Sequence, residues 1–171
     1  MLRMFFVVAI LCGFFGTSVS AADLKIGYVD LQKALNLSSA GKVAKEKIKS
    51  KVETYDAEVQ LRQGELQKLK EDLEKQAMLL SEDARGAKER DYQQKLKEYQ
   101  RFTKDIQEEL QQTDADLTRK ILEDILKVVQ NVGKKDGYSL VLEKTESSLV
   151  YADSSIDITD AVIQAFDAQK K

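Results

Sequence analysis

The sequence predicts an α+β, mainly α protein in which a long antiparallel coiled-coil hairpin projects from a small β-rich body. The 171-residue chain has no proline, although ordinary usage of about 5% predicts roughly eight, and proline disrupts helix interiors. Two apolar seams of heptad period occupy the middle of the chain, and short β-branched runs lie near its ends. We divide the chain into a signal peptide (1–21), the first strand and short helix of the body (22–40), the hairpin arm (41–120) and the rest of the body (121–171).

The first residues are typical of a secretory signal peptide. Arg3 is a short basic start, residues 4–15 are an apolar run, and small residues follow, so we predict cleavage after Ala21, with Ala22 as second choice. The apolar run is shorter than the ~20 residues that a membrane span needs. An uncleaved anchor is the less favoured alternative. Because Leu11 precedes Cys12, we expect no lipid anchor.

The composition of the mature chain argues against catalysis. Removal of Arg3 leaves 26 basic residues against 29 acidic residues, a net charge of −3, and the mature chain has no cysteine, histidine or tryptophan. The commonest metal ligands, nucleophiles and neutral-pH acid–base groups are therefore missing. We expect no enzyme activity, no metal and no cofactor.

The sequence of the first part of the body predicts a strand and a short helix. Leu24, Ile26 and Tyr28 alternate with their neighbours as in a strand, and Asp30 is a good N-cap for a helix over residues 31–35. Two serines at positions 38 and 39 are suited to cap the long helix that follows.

The middle of the chain predicts two long helices with matching seams. The first seam alternates spacings of four and three through Ile48, Val52, Tyr55, Val59, Arg62, Leu66, Leu69, Leu73, Gln76 and Leu80. The second seam has the same spacing through Tyr92, Leu96, Tyr99, Thr103, Ile106, Leu110, Thr113 and Leu117. This is the coiled-coil pattern. Each helix of about 35 residues is about 50 Å long.

A turn near residues 81–90 folds the two seams together. A mirror pairing of the seams is centred on residue 86 and places Leu66 opposite Ile106. We therefore predict Gly86 as the turn residue, because glycine adopts left-handed backbone angles without a Cβ penalty. Ser81 and Asp83 are suited to cap the returning helix or close the turn. The alternative is one continuous helix that tolerates Gly86 at about 1 kcal/mol.

The rest of the chain completes the body. Residues 121–132 are apolar on most sides, which predicts a buried helix, and Gly133 is expected to end it. Two β-rich runs follow at 138–142 and 149–152, and an amphipathic helix covers 157–166. The body therefore has three predicted strands and a small core. Small cores commonly depend on oligomerisation, which we predict here.

Several motifs resemble the Skp/OmpH family of periplasmic chaperones, and the resemblance spans the mature chain in order. They are Ile26-Gly27-Tyr28-Val29-Asp30-Leu31-Gln32-Lys33-Ala34-Leu35, Gly137-Tyr138-Ser139-Leu140-Val141-Leu142, Val150-Tyr151-Ala152 and Asp157-Ile158-Thr159-Asp160. The resemblance implies a periplasmic homotrimer whose strands form the body, with three hairpins around a central cavity. It also implies that the cavity holds unfolded outer-membrane β-barrel proteins without ATP. The expected oligomerisation residues are Ile26, Tyr28, Val29, Leu140, Leu142, Val150 and Tyr151.

One departure from the family concerns lipid contact. Well-known members are strongly basic and carry an arginine run associated with lipopolysaccharide, whereas this chain has a pI of about 5.4. Residues 85–104 carry seven basic residues against three acidic ones, and residues 105–124 carry two against seven. The second helix is thus basic toward its start. A contact with anionic lipid stays open but is disfavoured by the acidic pI.

Six residues are candidates for client contact. Only Leu80 of the apolar cluster 78–80 lies on a seam, so we interpret Met78 and Leu79 as exposed apolar residues at the tip. Phe102 also lies off the seam. For these three, local packing is the alternative. Arg85, Lys88 and Arg90 are candidates by charge, and a simple solvated face is the alternative for them.

The sequence therefore predicts an ATP-independent periplasmic holdase for unfolded outer-membrane β-barrel proteins. Nucleic acid is not an expected partner. The main alternative is an envelope coiled-coil scaffold or spacer that is anchored by an uncleaved N-terminal segment. An enzyme is the least favoured reading of this sequence.

Overall fold

The structure is a computed structural model that describes residues 24–76 and 78–169. The predicted signal peptide and its cleavage site lie outside the described residues. The elements, in chain order, are β1 (Ile26–Val29), α1 (Leu31–Leu37), α2 (Ser39–Gln76), α3 (Glu82–Lys135), β2 (Leu140–Glu143), a short 3-10 helix (Ser154–Ile156) and α4 (Thr159–Gln169). Two long helices joined by a tight reversal and a small strand pair confirm the predicted fold class. No helix in the two described ranges is long and apolar enough to cross a membrane.

The body joins the two ends of the described chain around one core. Strands β1 and β2 pair in parallel, from Ile26 opposite Leu140 to Val29 opposite Glu143, so the whole arm is the connection between them. Strand β1, α1, the last third of α3 and α4 enclose the core. Its buried members are Val29, Ala34, Ile121, Ile125, Val128, Val129, Ile158, Val162 and Phe166. The arm is therefore continuous with the core, because the last third of α3 is part of that core.

Side-chain caps start the first two helices as the sequence predicts. The backbone N–H of Lys33 donates to Asp30 Oδ1 at 2.7 Å, which makes Asp30 the N-cap of α1. At the start of α2, the N–H of Gly41 donates to Ser38 Oγ at 3.2 Å. Ser39 is held instead by α4, because its N–H and its hydroxyl both bond the carboxylate of Asp167. These caps tie the base of the arm to the body.

The predicted end of α3 at Gly133 is wrong. The helix continues to Lys135, and Gly137, at a φ of 73°, is the residue that leaves it. The N–H of Tyr138 donates to the carbonyl of Gly133 at 2.9 Å, which is the six-to-one bond of a Schellman motif. Gly133 lies in the last turn instead, where the Val141 side chain is the nearest neighbour of the space a Cβ would occupy.

The third predicted strand, at 149–152, is also wrong for the described chain. This run forms no strand, and the sheet has two strands. An isolated bridge joins Tyr28 to Asp157 on the free side of β1. The physical reason is that a strand needs a hydrogen-bonding neighbour, and the described residues offer none to this run.

The helical hairpin is present, but its turn is not at Gly86. Helix α2 ends at Gln76, and the N–H groups of Leu79 and Leu80 both donate to its carbonyl. Ser81 N-caps α3, with its hydroxyl accepting from the N–H of Ala84 at 3.3 Å. Gly86 lies inside α3, one turn past this cap. A serine cap followed by two acidic residues favours the start of a helix. It therefore determines the position of the turn, whereas Gly86 is tolerated inside the helix.

The seams face each other, but in a register shifted by one heptad. Leu66 and Tyr99 line one small pocket, and Leu73 and Tyr92 line a larger one, so each partner lies seven residues earlier on α3 than predicted. A shift of seven residues keeps an a/d seam opposite an a/d seam. The seam pattern alone therefore fits both registers.

Candidate functional site

The tip of the arm exposes two large apolar side chains. Met78 is 99% exposed and Leu79 is 85% exposed, whereas Leu80 is half-buried. The tight reversal after Gln76 turns Leu80 toward the seam and leaves its two predecessors outside it. The structure thus places Met78 and Leu79 at the tip with open access, as predicted.

The charge of the arm is more evenly spread than α3 alone suggests. Residues 62–104 carry eleven basic and nine acidic side chains. The part of α2 from residue 62 to residue 76 has four of each sign, and Glu82 and Asp83 add two acidic residues at the start of α3. The stretch that immediately surrounds the reversal, 74–85, carries two basic and three acidic residues. The basic surplus therefore lies along the shaft of the distal arm, and the tip itself has none.

The three basic candidates have three different environments. Arg85 lies 3.4 Å from Glu89 in an ion pair within α3. Lys88 reaches across the hairpin and donates to Gln76 Oε1 at 2.7 Å, so it helps to close the tip. Arg90 makes no ion pair with any described residue and lines an open groove between the helices. Of the three, Arg90 is the one that the fold leaves available to a partner.

Phe102 packs against the neighbouring helix. Its ring is half-buried, and the guanidinium of Arg62 lies 4.1 Å from its centroid. Arg62 is held in place by Glu58, whose Oε1 accepts from Nη2 at 2.6 Å and from Nε at 3.2 Å. This arrangement matches the packing alternative that the sequence left open for Phe102.

A groove of about 960 Å³ runs between the distal parts of α2 and α3. We call it the distal groove. Its apolar surface includes Leu73 and Tyr92, Gly86 lies at its tip end, and Arg90 and Lys97 stand along its α3 side. Sequence reasoning missed it, although a polar residue (Gln76) and a glycine close to the distal seam were signs of incomplete packing there.

Nearer the body, a polar cluster joins the two helices of the arm. Lys51 on α2 pairs with Glu109 on α3, and the Tyr55 hydroxyl also bonds this carboxylate. The bond from Lys51 and then that from Tyr55 lower the pKa of Glu109, while the same carboxylate raises the pKa of Lys51. Every other ion pair found within the arm's described residues joins positions three or four apart on one helix.

The predicted oligomerisation residues fall into two groups. Tyr28 and Val29 are buried within the chain's own core, and Ile26 and Leu142 are half-buried. Leu140 is 46% exposed, Val150 is 99% exposed and Tyr151 is 82% exposed. The second group consists of exposed apolar side chains, one in β2 and two in the segment that follows it.

The described residues contain no cluster of histidine, cysteine, aspartate and glutamate that could hold a metal ion. Carboxylates near the core serve structural roles instead. Burial raises the pKa of Tyr28, and the nearby Asp157 charge and hydrogen bond raise it further. Asp157 also accepts from the N–H of Thr159 at 2.8 Å and so starts α4.

Known proteins share the sequence pattern and the fold of this chain. The family model described as "Outer membrane protein (OmpH-like)" matches residues 25–166. A crystal structure from Caulobacter crescentus, described as an OmpH-like outer membrane chaperone, superposes with a TM-score of 0.80 at 22% identity and covers 91% of each chain. No curated protein matches the chain. Since the family model covers the strands, both long helices and most of α4, the chain belongs to the OmpH-like family.

Proposed function

We propose that this protein is an ATP-independent periplasmic holdase that binds unfolded outer-membrane β-barrel proteins between helical arms and prevents their aggregation. The observation that carries this proposal is the tip of the arm, where Met78 and Leu79 are almost fully exposed on a reversal that is followed by the Ser81 cap of α3. Two large apolar side chains exposed side by side at the end of an arm of about 50 Å point to a surface that contacts another molecule. Methionine suits contacts with varied partners.

The shape of the arm supports weak and adjustable contacts. Leu66 is the buried residue of α2, and α3 buries residues only from Ile121 onward, where it enters the body. A two-helix arm with so thin a core has few contacts that resist bending. Such an arm adapts to clients of different size without a nucleotide-driven step.

The chemistry of the clients fits this surface. An unfolded β-barrel strand alternates apolar and polar residues and has unpaired backbone groups until the barrel closes. Such chains aggregate through their edges and apolar faces. Many weak apolar and charged contacts keep them apart, and release follows when the client folds into the membrane more stably than it binds the arms.

A homotrimer is the assembly that we propose, following the family resemblance. Leu140, Val150 and Tyr151 are exposed apolar residues, and the run 149–152 has no strand partner in the described chain. Pairing with a second copy would supply both the missing neighbour and the cover for these side chains. The body then unites three arms around a cavity.

We also propose export to the periplasm with cleavage near Ala21, and we do not propose a lipid contact at the tip. The residues around the reversal carry a small acidic surplus, which does not attract an anionic membrane surface. Only the shaft of the distal arm is weakly basic.

Light scattering tests the holdase proposal. A urea-unfolded outer-membrane β-barrel protein is diluted into buffer with and without the mature protein, at one trimer per client and without nucleotide. We expect suppressed aggregation. Unchanged aggregation at this ratio and at several-fold excess would contradict the proposal for this client class.

The second candidate is an envelope scaffold or spacer with an uncleaved anchor. The apolar run at residues 4–15 favours it if it is retained. The intact mass of the protein purified from the envelope separates the two candidates, because a scaffold of this kind keeps residues 1–21 and the proposed chaperone has lost them.

A further inference from the structure

The distal groove is a large concave surface between the two helices, and Met78 and Leu79 are not part of its lining. Its volume of about 960 Å³ falls within the range of ligand-binding clefts in proteins, about 300–1,000 Å³. Leu73 on α2 and Tyr92 on α3 supply its apolar lining. The groove is therefore large enough for side chains of another polypeptide.

Gly86 contributes to keeping the groove open at its tip end. The residue is helical, and a Cβ built on it would meet only the Arg90 side chain, at 3.5 Å. A glycine inside a helix destabilises it by about 1 kcal/mol relative to alanine, and neither a positive φ nor a close backbone contact requires one here. The space that the missing side chain leaves is part of the groove.

Two unpaired cations line the α3 side of the groove. Arg90 and Lys97 are seven residues apart on one face of the helix, which separates them by about 10 Å along its axis. Neither forms an ion pair with a described residue, whereas Arg85 and Arg101 on the same helix are paired. Three carboxylates also line the groove, but each has its own partner: Glu74 pairs with Lys70, Glu89 pairs with Arg85, and Glu98 accepts from Gln94. The charges of the two cations are therefore available to carboxylates of a bound segment.

We propose that the distal groove binds an extended polypeptide segment in which an aromatic side chain is flanked by carboxylates at alternate positions. In an extended chain, residues i, i+2 and i+4 lie on one face and span about 13 Å. The aromatic ring enters the groove against Tyr92 and Leu73. The long, flexible side chains of Arg90 and Lys97 reach the two carboxylates. This proposal rests on the holdase function and assigns a specific contact to it.

A defined peptide tests the site directly. The probe is a fluorescein-labelled nine-residue peptide with the central order Asp, Thr, Tyr, Thr, Asp, and its binding to the mature protein is followed by fluorescence anisotropy. Gly86→Leu fills the groove while it raises helix propensity, so we expect the Kd to rise at least tenfold without a lower Tm. Gly64→Leu is the matched control, because Gly64 lies in α2 with no neighbour within 4 Å of an added Cβ, and we expect it to leave the Kd unchanged.

The charge requirement has its own pair of variants. Arg90→Gln with Lys97→Gln is expected to raise the Kd five- to tenfold and to weaken its dependence on salt. Lys68→Gln removes a cation outside the groove and is expected to change neither. A wild-type Kd for Gly86→Leu, an equal loss in Lys68→Gln, or equal binding of a peptide with Ser in place of Tyr would each overturn the site.

Client aggregation measured on the same variants separates this site from the holdase function. If the wild-type protein and Gly86→Leu suppress aggregation equally, the holdase function stands and the groove does not contribute to client binding. If the peptide binds as expected but the wild-type protein does not suppress aggregation, the groove stands as a peptide site and the holdase function is wrong.

Discussion

The guanidinium of Arg62 lies 4.1 Å from the centroid of the Phe102 ring, and this contact joins the two helices in the middle of the arm. Arg62 occupies a seam position where a coiled coil normally has an apolar side chain. Its charge is balanced by Glu58 one turn earlier, and its flat face covers the ring. The stack explains how a charged residue is accommodated at the interface between the helices.

Loss of the Phe102 ring is expected to destabilise the arm. Truncating a fully buried phenylalanine costs about 3–5 kcal/mol, so we expect roughly half of that for Phe102→Ala, whose ring is half-buried. Combining it with Arg62→Met should reveal a coupling of about 0.5–1 kcal/mol, the range for a partly exposed cation–π contact. Urea unfolding at fixed protein concentration measures both, and strictly additive effects would contradict the stack.

Two glycines should respond oppositely to the same substitution. A Cβ on Gly41 would lie 1.7 Å from the carbonyl oxygen of Leu35, so Gly41→Ala forces α1 and α2 apart. We expect it to destabilise the protein by at least the ~1–3 kcal/mol of an overpacked site. Gly64→Ala meets nothing within 4 Å and is expected to stabilise by about 0.5–1 kcal/mol. Paired thermal melts provide the measurement, and a Gly41→Ala protein as stable as wild type would contradict the close packing.

Stability is expected to fall in acid and to stay flat near neutrality. The Lys33 N–H lowers the pKa of Asp30, burial partly opposes this, and Lys144 lowers it further. Because this pKa is lower in the folded than in the unfolded state, the stabilisation is present above the unfolded pKa of about 3.9 and is lost as the pH falls through the folded pKa. The chain has no histidine, so little should change between about pH 6 and pH 8.

Asp30→Asn isolates the contribution of this carboxylate. Asparagine keeps the N-cap but loses the charge that pairs with Lys144, so the variant should be less stable at pH 7 and should depend less on pH below 4. Urea unfolding between pH 3 and pH 8 measures both effects. An acid dependence identical to that of the wild type would show that Asp30 is not among the responsible groups.

The exposed tip side chains should matter for clients and not for folding. Met78→Ser together with Leu79→Ser removes apolar surface that is already in water, so we expect the Tm to stay within about 1 °C, as for surface substitutions that change stability by under 0.5 kcal/mol. Suppression of client aggregation should weaken several-fold. Leu61→Ser, on the exposed side of α2, is the control. Equal loss in the control would assign the effect to apolar surface in general.

The exposed apolar side chains of Val150 and Tyr151 should be required for assembly. Val150→Asp with Tyr151→Ser places polar groups on side chains that are 99% and 82% exposed in the single chain, so the fold of one subunit is retained. We expect the assembly mass measured by light scattering after gel filtration to drop to that of a monomer. A trimer of unchanged stability would place the interface elsewhere.

Much of this architecture followed from local patterns in the sequence. The heptad spacing determined which residues of the arm turn inward, except at Val52, which is exposed. Asp30 determined where α1 begins. Caps and periodicity act between residues that are close in the chain. The exposure of Met78 and Leu79 followed in the same way, since a single seam leaves no place for three consecutive apolar residues. The distal groove had no comparable local signal beyond Gln76 and Gly86.

The tertiary structure decided the features that depend on how distant segments meet. Two heptad seams fit each other equally well after a shift of seven residues, so the Ser81 cap and the packing of the whole hairpin selected the pairing of Leu66 with Tyr99 over Ile106. The end of α3 at Lys135 depended likewise on Tyr138, which packs against the body core and whose N–H donates to the carbonyl of Gly133. Whether residues 149–152 form a strand depends on a neighbour that local sequence does not specify, because sheet hydrogen bonds join segments that are remote in the chain.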